Sequence, residues 1–201
     1  MKKKAEVFEK TYKDYLKQLS GIDCLAKAEM LGADISGKEL IIPFYGEPYR
    51  ISGSAITDSK GQKANFSISV VLCKYILLCP EELPPKGNWV TYREFKDAGP
   101  LTVSFNNNTN KVIEKTFFDS PKALEKVCQK LNAIPFNDNS SHDFSMIFNI
   151  LPRIPVLLRF NFKDEDFPAK CSVLFKQSAQ NFLDMESLAI AGTFLAGNLI
   201  S

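Results

Sequence analysis

FSMIFNILPRIPVLLRFNFKDEDFPAKCSVLF, Phe144 to Phe175, carries the pattern that decides the fold. Apolar residues take every second position three times over: Phe144, Met146, Phe148 and Ile150, then Ile154, Val156, Leu158, Phe160 and Phe162, then Cys171, Val173 and Phe175. A period of two marks a strand with one buried face. Leu151-Pro152-Arg153 and the charged run Lys163 to Pro168 interrupt it, so the stretch reads as an antiparallel meander.

Helical patterns flank the meander. Phe8, Tyr12, Tyr15, Leu16 and Leu19 recur at helical spacing over residues 3–19. A second helix, about Ile22 to Leu31, should stop at Gly32. FSISVVLCKYILLC from Phe66 is β-branched like a strand but has the length of a buried helix, and is assigned to helix. Ser120-Pro121 starts another, with Ala123, Leu124, Val127, Cys128 and Leu131 inside. The last runs from about Asp184 to Leu199. Met185, Leu188, Gly192, Leu195 and Leu199 line one face, and Ala189, Gly192 and Ala196 permit close approach to a neighbour.

The remainder reads as strands and loops. ELIIPFYGEPYRIS is a hairpin turning at Gly46-Glu47, with Pro43 and Pro48 suggesting an edge or irregular pair. SKGQ near Gly61 is a turn, PEELPPKGN is a loop with freedom to move, and NWVTYREF is a strand. LTVSF is expected as a strand, NNNTN as a polar turn and KVIEKTFF as a partner strand. FNDNSSHD is a loop. The predicted fold is α+β: one domain over residues 1–201, an antiparallel meander near the C-terminal half packed with N-terminal, central and C-terminal helices.

Composition narrows the function classes. Hydrophobic residues make up 45% of the 201 and charged residues 24%, as in ordinary globular proteins. A net charge of +2, without a concentrated basic face, gives no reason to expect nucleic acid. No apolar run is long enough to span a bilayer, and MKKKAEVFEKTY lacks the apolar stretch of a signal peptide. A cytoplasmic protein, with no membrane partner, is expected. Cys24, Cys73, Cys79, Cys128 and Cys171 are scattered without a CxxC pair. They read as buried small hydrophobes, with convergence of two on a metal left open.

Several chemistries lack their residues. GxSxG, GxxxxGK[ST] and GxGxxG are all absent, and the only histidine, His142, sits among turn formers. Arginine makes rigid bidentate contacts, so Arg50, Arg93, Arg153 and Arg159 rank above any lysine as site candidates. Arg153 is the most constrained, because prolines nearby fix its backbone. It suits a carboxylate or phosphate clamp, or a tie to Glu94, Asp164 or Glu186, and the tie is preferred. Trp89, Tyr92 and Arg93 form an aromatic-plus-cation group suited to a flat ligand, though Trp89 and Phe95 also fit a core. Asp164, Glu165 and Asp166 read first as a solvated hairpin tip, with Phe167-Pro168 tucked back onto the sheet. Carboxylates this close also suit a hard cation.

WVTYREF, the step Asp97-Ala98-Gly99, LPRIPVLLRF, DEDFP and VLFKQSAQNFLDMESLAIAG occur in this order. The series resembles an uncharacterised prokaryotic family, Domain of Unknown Function 3786 (DUF3786), most strongly from Ile150 to Leu195. The resemblance implies anaerobic bacteria and archaea, and partners of iron–sulfur or corrinoid-dependent methyl-transfer systems. It implies no established activity. The corrinoid-ligating D-x-H-x-x-G motif is absent. The leading expectation is a binding or accessory domain. It would recognise a cofactor-bearing ligand or a partner protein through Trp89, Tyr92, Arg93 and Arg153. The alternative is an enzyme that uses Arg153 and the acidic run on an anionic small molecule.

Overall fold

The computed structural model describes residues 2–137 and 141–201, with side chains from Glu6 onward. Residues 138–140 of the FNDNSSHD loop therefore lie outside the described residues. The fold is α+β, with two antiparallel sheets and helices packed between and around them.

Helix α1 (Lys2–Ser20) lies along α3 (Phe66–Leu77), where Phe8 stacks on Phe66 with ring centroids 4.4 Å apart. The expected second helix is shorter than its pattern. Asp23 accepts the N–H of Ala26 and starts a 3-10 turn at Leu25–Lys27, which leaves only Ala28–Leu31 as α2. Gly32 ends it in the left-handed conformation, at φ 66°.

Strands β1 (Asp34–Ser36), β2 (Glu39–Phe44), β3 (Glu47–Ile51) and β4 (Ile56–Thr57) form the first sheet in chain order. The β2–β3 turn is Tyr45-Gly46, one residue earlier than expected. Both residues have positive φ, the geometry that suits the twist of a two-residue hairpin. Pro43 and Pro48 face each other one step from the turn without breaking register. Their missing N–H groups would point outward, where neither β1 nor β4 reaches. Tyr45 tolerates its left-handed backbone because it is fixed at both ends. Its N–H donates to Ile150 O at 2.9 Å, and its phenol donates to Ala191 O at 2.7 Å.

The segment 102–117 is a correction. It is helical throughout: α4 (Thr102–Phe105), a π turn at Asn106–Asn110 and α5 (Lys111–Phe117), not strand, turn, strand. Phe105, Thr109, Ile113 and Phe117 are buried at strict four-residue spacing. On an ideal α-helix that spacing drifts by about 40° per step, and the wider π turn takes up the drift. The run of asparagines hides this stripe, because its central member is a threonine. The π turn also covers a sheet edge. Asn110 Oδ1 accepts from Val173 N–H and Glu114 Oε2 from Cys171 N–H, beyond the point where β5 stops.

The second sheet joins β5 (Trp89–Thr91), β6 (Ile134–Pro135), β7 (Phe144–Leu151), β8 (Ile154–Asn161) and β9 (Lys170–Lys176) in the order β5-β9-β8-β7-β6. The meander is thus β7–β8–β9. NWVTYREF keeps only its first part as strand. Glu94 reaches back to the N–H and hydroxyl of Thr91, and Tyr92–Glu94 becomes a 3-10 turn. Helix α6 (Pro121–Lys130) closes one side and α7 (Met185–Ile200) fills the centre. Asp184 caps α7 through Ser187 N–H and pairs with Lys74 of α3 at 3.0 Å. The main buried cluster draws on both sheets and on α3 and α7.

One row of the second sheet, Thr91, Leu174, Leu157, Ile147 and Ile134, crosses all five strands on the face away from that cluster. Trp89 and Phe136 stand on the same face, two residues beyond opposite ends of the row. A flat sheet would separate its edges by about 19 Å. The two rings lie 6.1 Å apart, so the sheet coils and brings diagonal corners together. Leu157 is fully buried here. Because Trp89 is the only tryptophan, Phe136→Ala should shift its emission to longer wavelength, a change read directly by fluorescence.

Helix α7 packs tightly at Gly192, where a Cβ would stand 2.5 Å from the Phe105 ring. Gly192→Ala should lower unfolding stability by about 1–3 kcal/mol through overpacking. A Cβ on Gly197 meets nothing within 4 Å, so Gly197→Ala should raise stability by up to about 1 kcal/mol. Urea unfolding of the two variants checks both signs.

Candidate functional site

The β7–β8 loop is only Pro152-Arg153, closed by the Leu151–Ile154 pair. So short a loop fixes where Arg153 starts. Its N–H donates to the Tyr75 phenol oxygen at 3.1 Å, while Nε donates to Met30 O at 3.0 Å and Nη2 to Glu29 O at 2.7 Å. Arg153 is therefore a tie, as preferred from sequence, but to the carbonyl end of α2 rather than to a carboxylate. Cations suit helix C-termini because the last carbonyls there lack helical partners. Of the expected partners, Glu94 is held by Thr91, and Asp164 accepts the N–H groups of Asp166 and Phe167 within its own turn. Gly32 makes the tie possible, since a Cβ there would stand 2.9 Å from Pro152 Cβ.

Among the described residues Nη1 of Arg153 has no hydrogen-bond partner, and Arg153 lines a pocket of about 500 Å³. Two lysines share that pocket. Lys176, at the end of β9, donates to Gly87 O at 3.2 Å and lies over the Trp89 ring at 4.4 Å. Burial, and then the charge of Lys86, push its ammonium pKa below the usual lysine value. Lys86 comes from the loop before β5. That loop is latched rather than free. Ser178 N–H donates to Lys86 O, Gln177 N–H to Asn88 O, and Asn88 N–H to Gln177 Oε1. Gly87 has φ 67°, and a Cβ there would meet Gln177 at 2.6 Å. Asn149 and Ser178 add neutral polar groups, and Pro84, Pro85 and Phe182 give an apolar wall. No carboxylate lines the pocket, and among the described residues neither lysine nor Arg153 has an ion-pair partner.

The other sequence candidates disperse. Trp89 reaches the pocket only through Lys176. Tyr92 is buried, stacked on Phe105 at 4.3 Å, with its phenol donating to Met185 O at 2.7 Å. Arg93 is exposed and borders a different groove, together with Tyr92, Lys170 and Asn106, so two of the three expected residues still meet there. Asp164, Glu165 and Asp166 form an exposed tip, and Phe167 does not tuck in, being 70% exposed. Among the described residues no three His, Cys, Asp or Glu side chains gather as a metal site. Lys86 and Lys176 were missed because lysines were ranked below arginines. The period-two face of β9 was the available signal, since it places Lys176 opposite the buried Phe175. His142 is half-buried rather than in open solvent, with Nδ1 2.7 Å from Asn161 Oδ1.

All five cysteines are free. Burial pushes the thiols of Cys73 and Cys128 up to about 12, and raises those of Cys24, Cys79 and Cys171. Unfolded thiols ionise near pH 8.5, so the unfolded chain loses these protons first. Stability is complete below that pH and is lost as pH rises toward the folded values. Buried phenols at Tyr45 and Tyr92 act in the same direction. Urea midpoints should be flat between pH 7 and 8 and fall steadily above about pH 9.

A sequence model of one family, described as Domain of unknown function (DUF3786), matches residues 23–198. No curated protein and no solved structure matches the chain.

Proposed function

Taking as premise that the chain belongs to the DUF3786 family, we propose that it is a ligand-binding or accessory domain. Its pocket at Arg153, Lys86 and Lys176 captures the anionic group of a small molecule or of a partner-borne cofactor. One observation carries this reading: three cations share a pocket that holds no carboxylate. Grouping like charges costs energy unless an anion enters, so the arrangement favours a negatively charged guest. Arg153 has a donor left over and a fixed orientation, which lowers the cost of binding. The apolar wall then accommodates the uncharged part of the ligand.

Capture fits the pocket better than catalysis. No carboxylate or histidine lines it to act as general acid or base. The anaerobic setting, and the iron–sulfur or corrinoid partners implied by the family resemblance, suit an accessory protein of this kind, working as a cytoplasmic protein. Among the described residues no helix is long and apolar enough to cross a membrane.

The test uses citrate and phosphate as probes at matched ionic strength. Either should raise the melting temperature of the wild-type chain by several degrees. In the Lys86→Gln/Lys176→Gln variant, the rise should be at least halved. An equal rise in both proteins contradicts the proposal, because it would place the anion elsewhere.

A further inference from the structure

Resting on the anion-pocket reading above, we infer that the pocket selects a ligand with a dianionic head group, a phosphate monoester or a dicarboxylate, on a compact apolar body. The charge count is the first argument. The Arg153 guanidinium and the Lys86 and Lys176 ammonium groups supply three positive charges, and no carboxylate lines the pocket to balance them. A monocarboxylate would leave two of the three uncompensated. A dianion leaves one.

The second argument is position. The Lys176 ammonium is aimed by Gly87 O and the Trp89 ring, which set its position beside the pocket. Arg153 is likewise pinned by two carbonyls. Lys86 and Lys176 are close enough for the charge of one to act on the other, so negative charge concentrated at one end of the ligand meets both. The third argument is the wall. Pro84, Pro85 and Phe182 offer no hydrogen-bond donors from their side chains to a further polar group. The burial of Lys176 and the charge of Lys86 point the same way, since the cost they put on its charged form is offset when negative charge arrives.

Trp89 provides the readout, because it touches Lys176 and is the only tryptophan. Its fluorescence is titrated with phenyl phosphate, phthalate and benzoate, three ligands sharing one ring. Phosphate monoesters lose their second proton near pH 6, so phenyl phosphate should bind up to about tenfold tighter at pH 8 than at pH 5. Benzoate at pH 8 should bind at least about tenfold more weakly than the better dianion. Lys176→Gln, checked by circular dichroism for an intact fold and read by calorimetry, should erase most of that preference.

Tighter binding of phenyl phosphate than of phthalate assigns the head group as phosphate, and the reverse assigns a dicarboxylate. Equal affinity for benzoate and both dianions at pH 8 overturns the dianion inference and leaves the anion pocket standing. If none of the three binds while citrate or phosphate still stabilises through Lys86 and Lys176, the apolar-body part is overturned. If no anion acts at all, the anion pocket itself fails.

Discussion

Three segments distant in sequence meet at the Tyr75 phenol. Its O–H donates to Leu31 O at 2.7 Å and its oxygen accepts from Arg153 N–H at 3.1 Å. Tyr75 is fully buried on α3, so these bonds form away from water, where leaving either group unpaired is costly. The Arg153 side chain repeats the connection from the other side by holding the last carbonyls of α2. Helix α2, helix α3 and the meander are thereby locked at one point. The pocket depends on that point, because Pro152 and Arg153, the same short loop that carries the tie, also line it.

This arrangement separates two roles that a single arginine usually trades against each other. Most of the Arg153 guanidinium is committed to the fold, and the lysines supply the remaining charge. Lys176 is aimed by a carbonyl and an indole, and Lys86 by a loop latched to Gln177 and Ser178. The coil of the second sheet contributes as well. It draws Trp89 toward Phe136 on the outer face, and Lys176 lies over that same indole.

Much of the fold was legible in the sequence because burial there has a simple period. The β7–β8–β9 meander alternates along its inner face except where the register shifts between Asn149 and Leu151, and α3, α6 and α7 fall where their patterns place them. Residues 102–117 were not legible. Their buried stripe repeats every four residues through a π turn, and asparagines surround its polar centre at Thr109. The site was half legible. Proline neighbours marked Arg153 correctly as aimed, but its partners are backbone carbonyls, which no side-chain pattern announces. The Trp89, Tyr92 and Arg93 group looked like one surface. Tyr92 and Arg93 do border one groove, but the Tyr92 ring is buried on Phe105, and Trp89 stands apart against Phe136.

The central claim is that the Tyr75 hydroxyl and the Arg153 guanidinium hold one shared junction. A double-mutant cycle in urea unfolding tests it most directly, with Tyr75→Phe, Arg153→Met and the combined variant. Because both groups fix the same two-residue loop against the same helix end, the account predicts a coupling of about 0.5–3 kcal/mol, with the second substitution costing less than the first. Losses that add to within about 0.3 kcal/mol would show two independent contacts and contradict it.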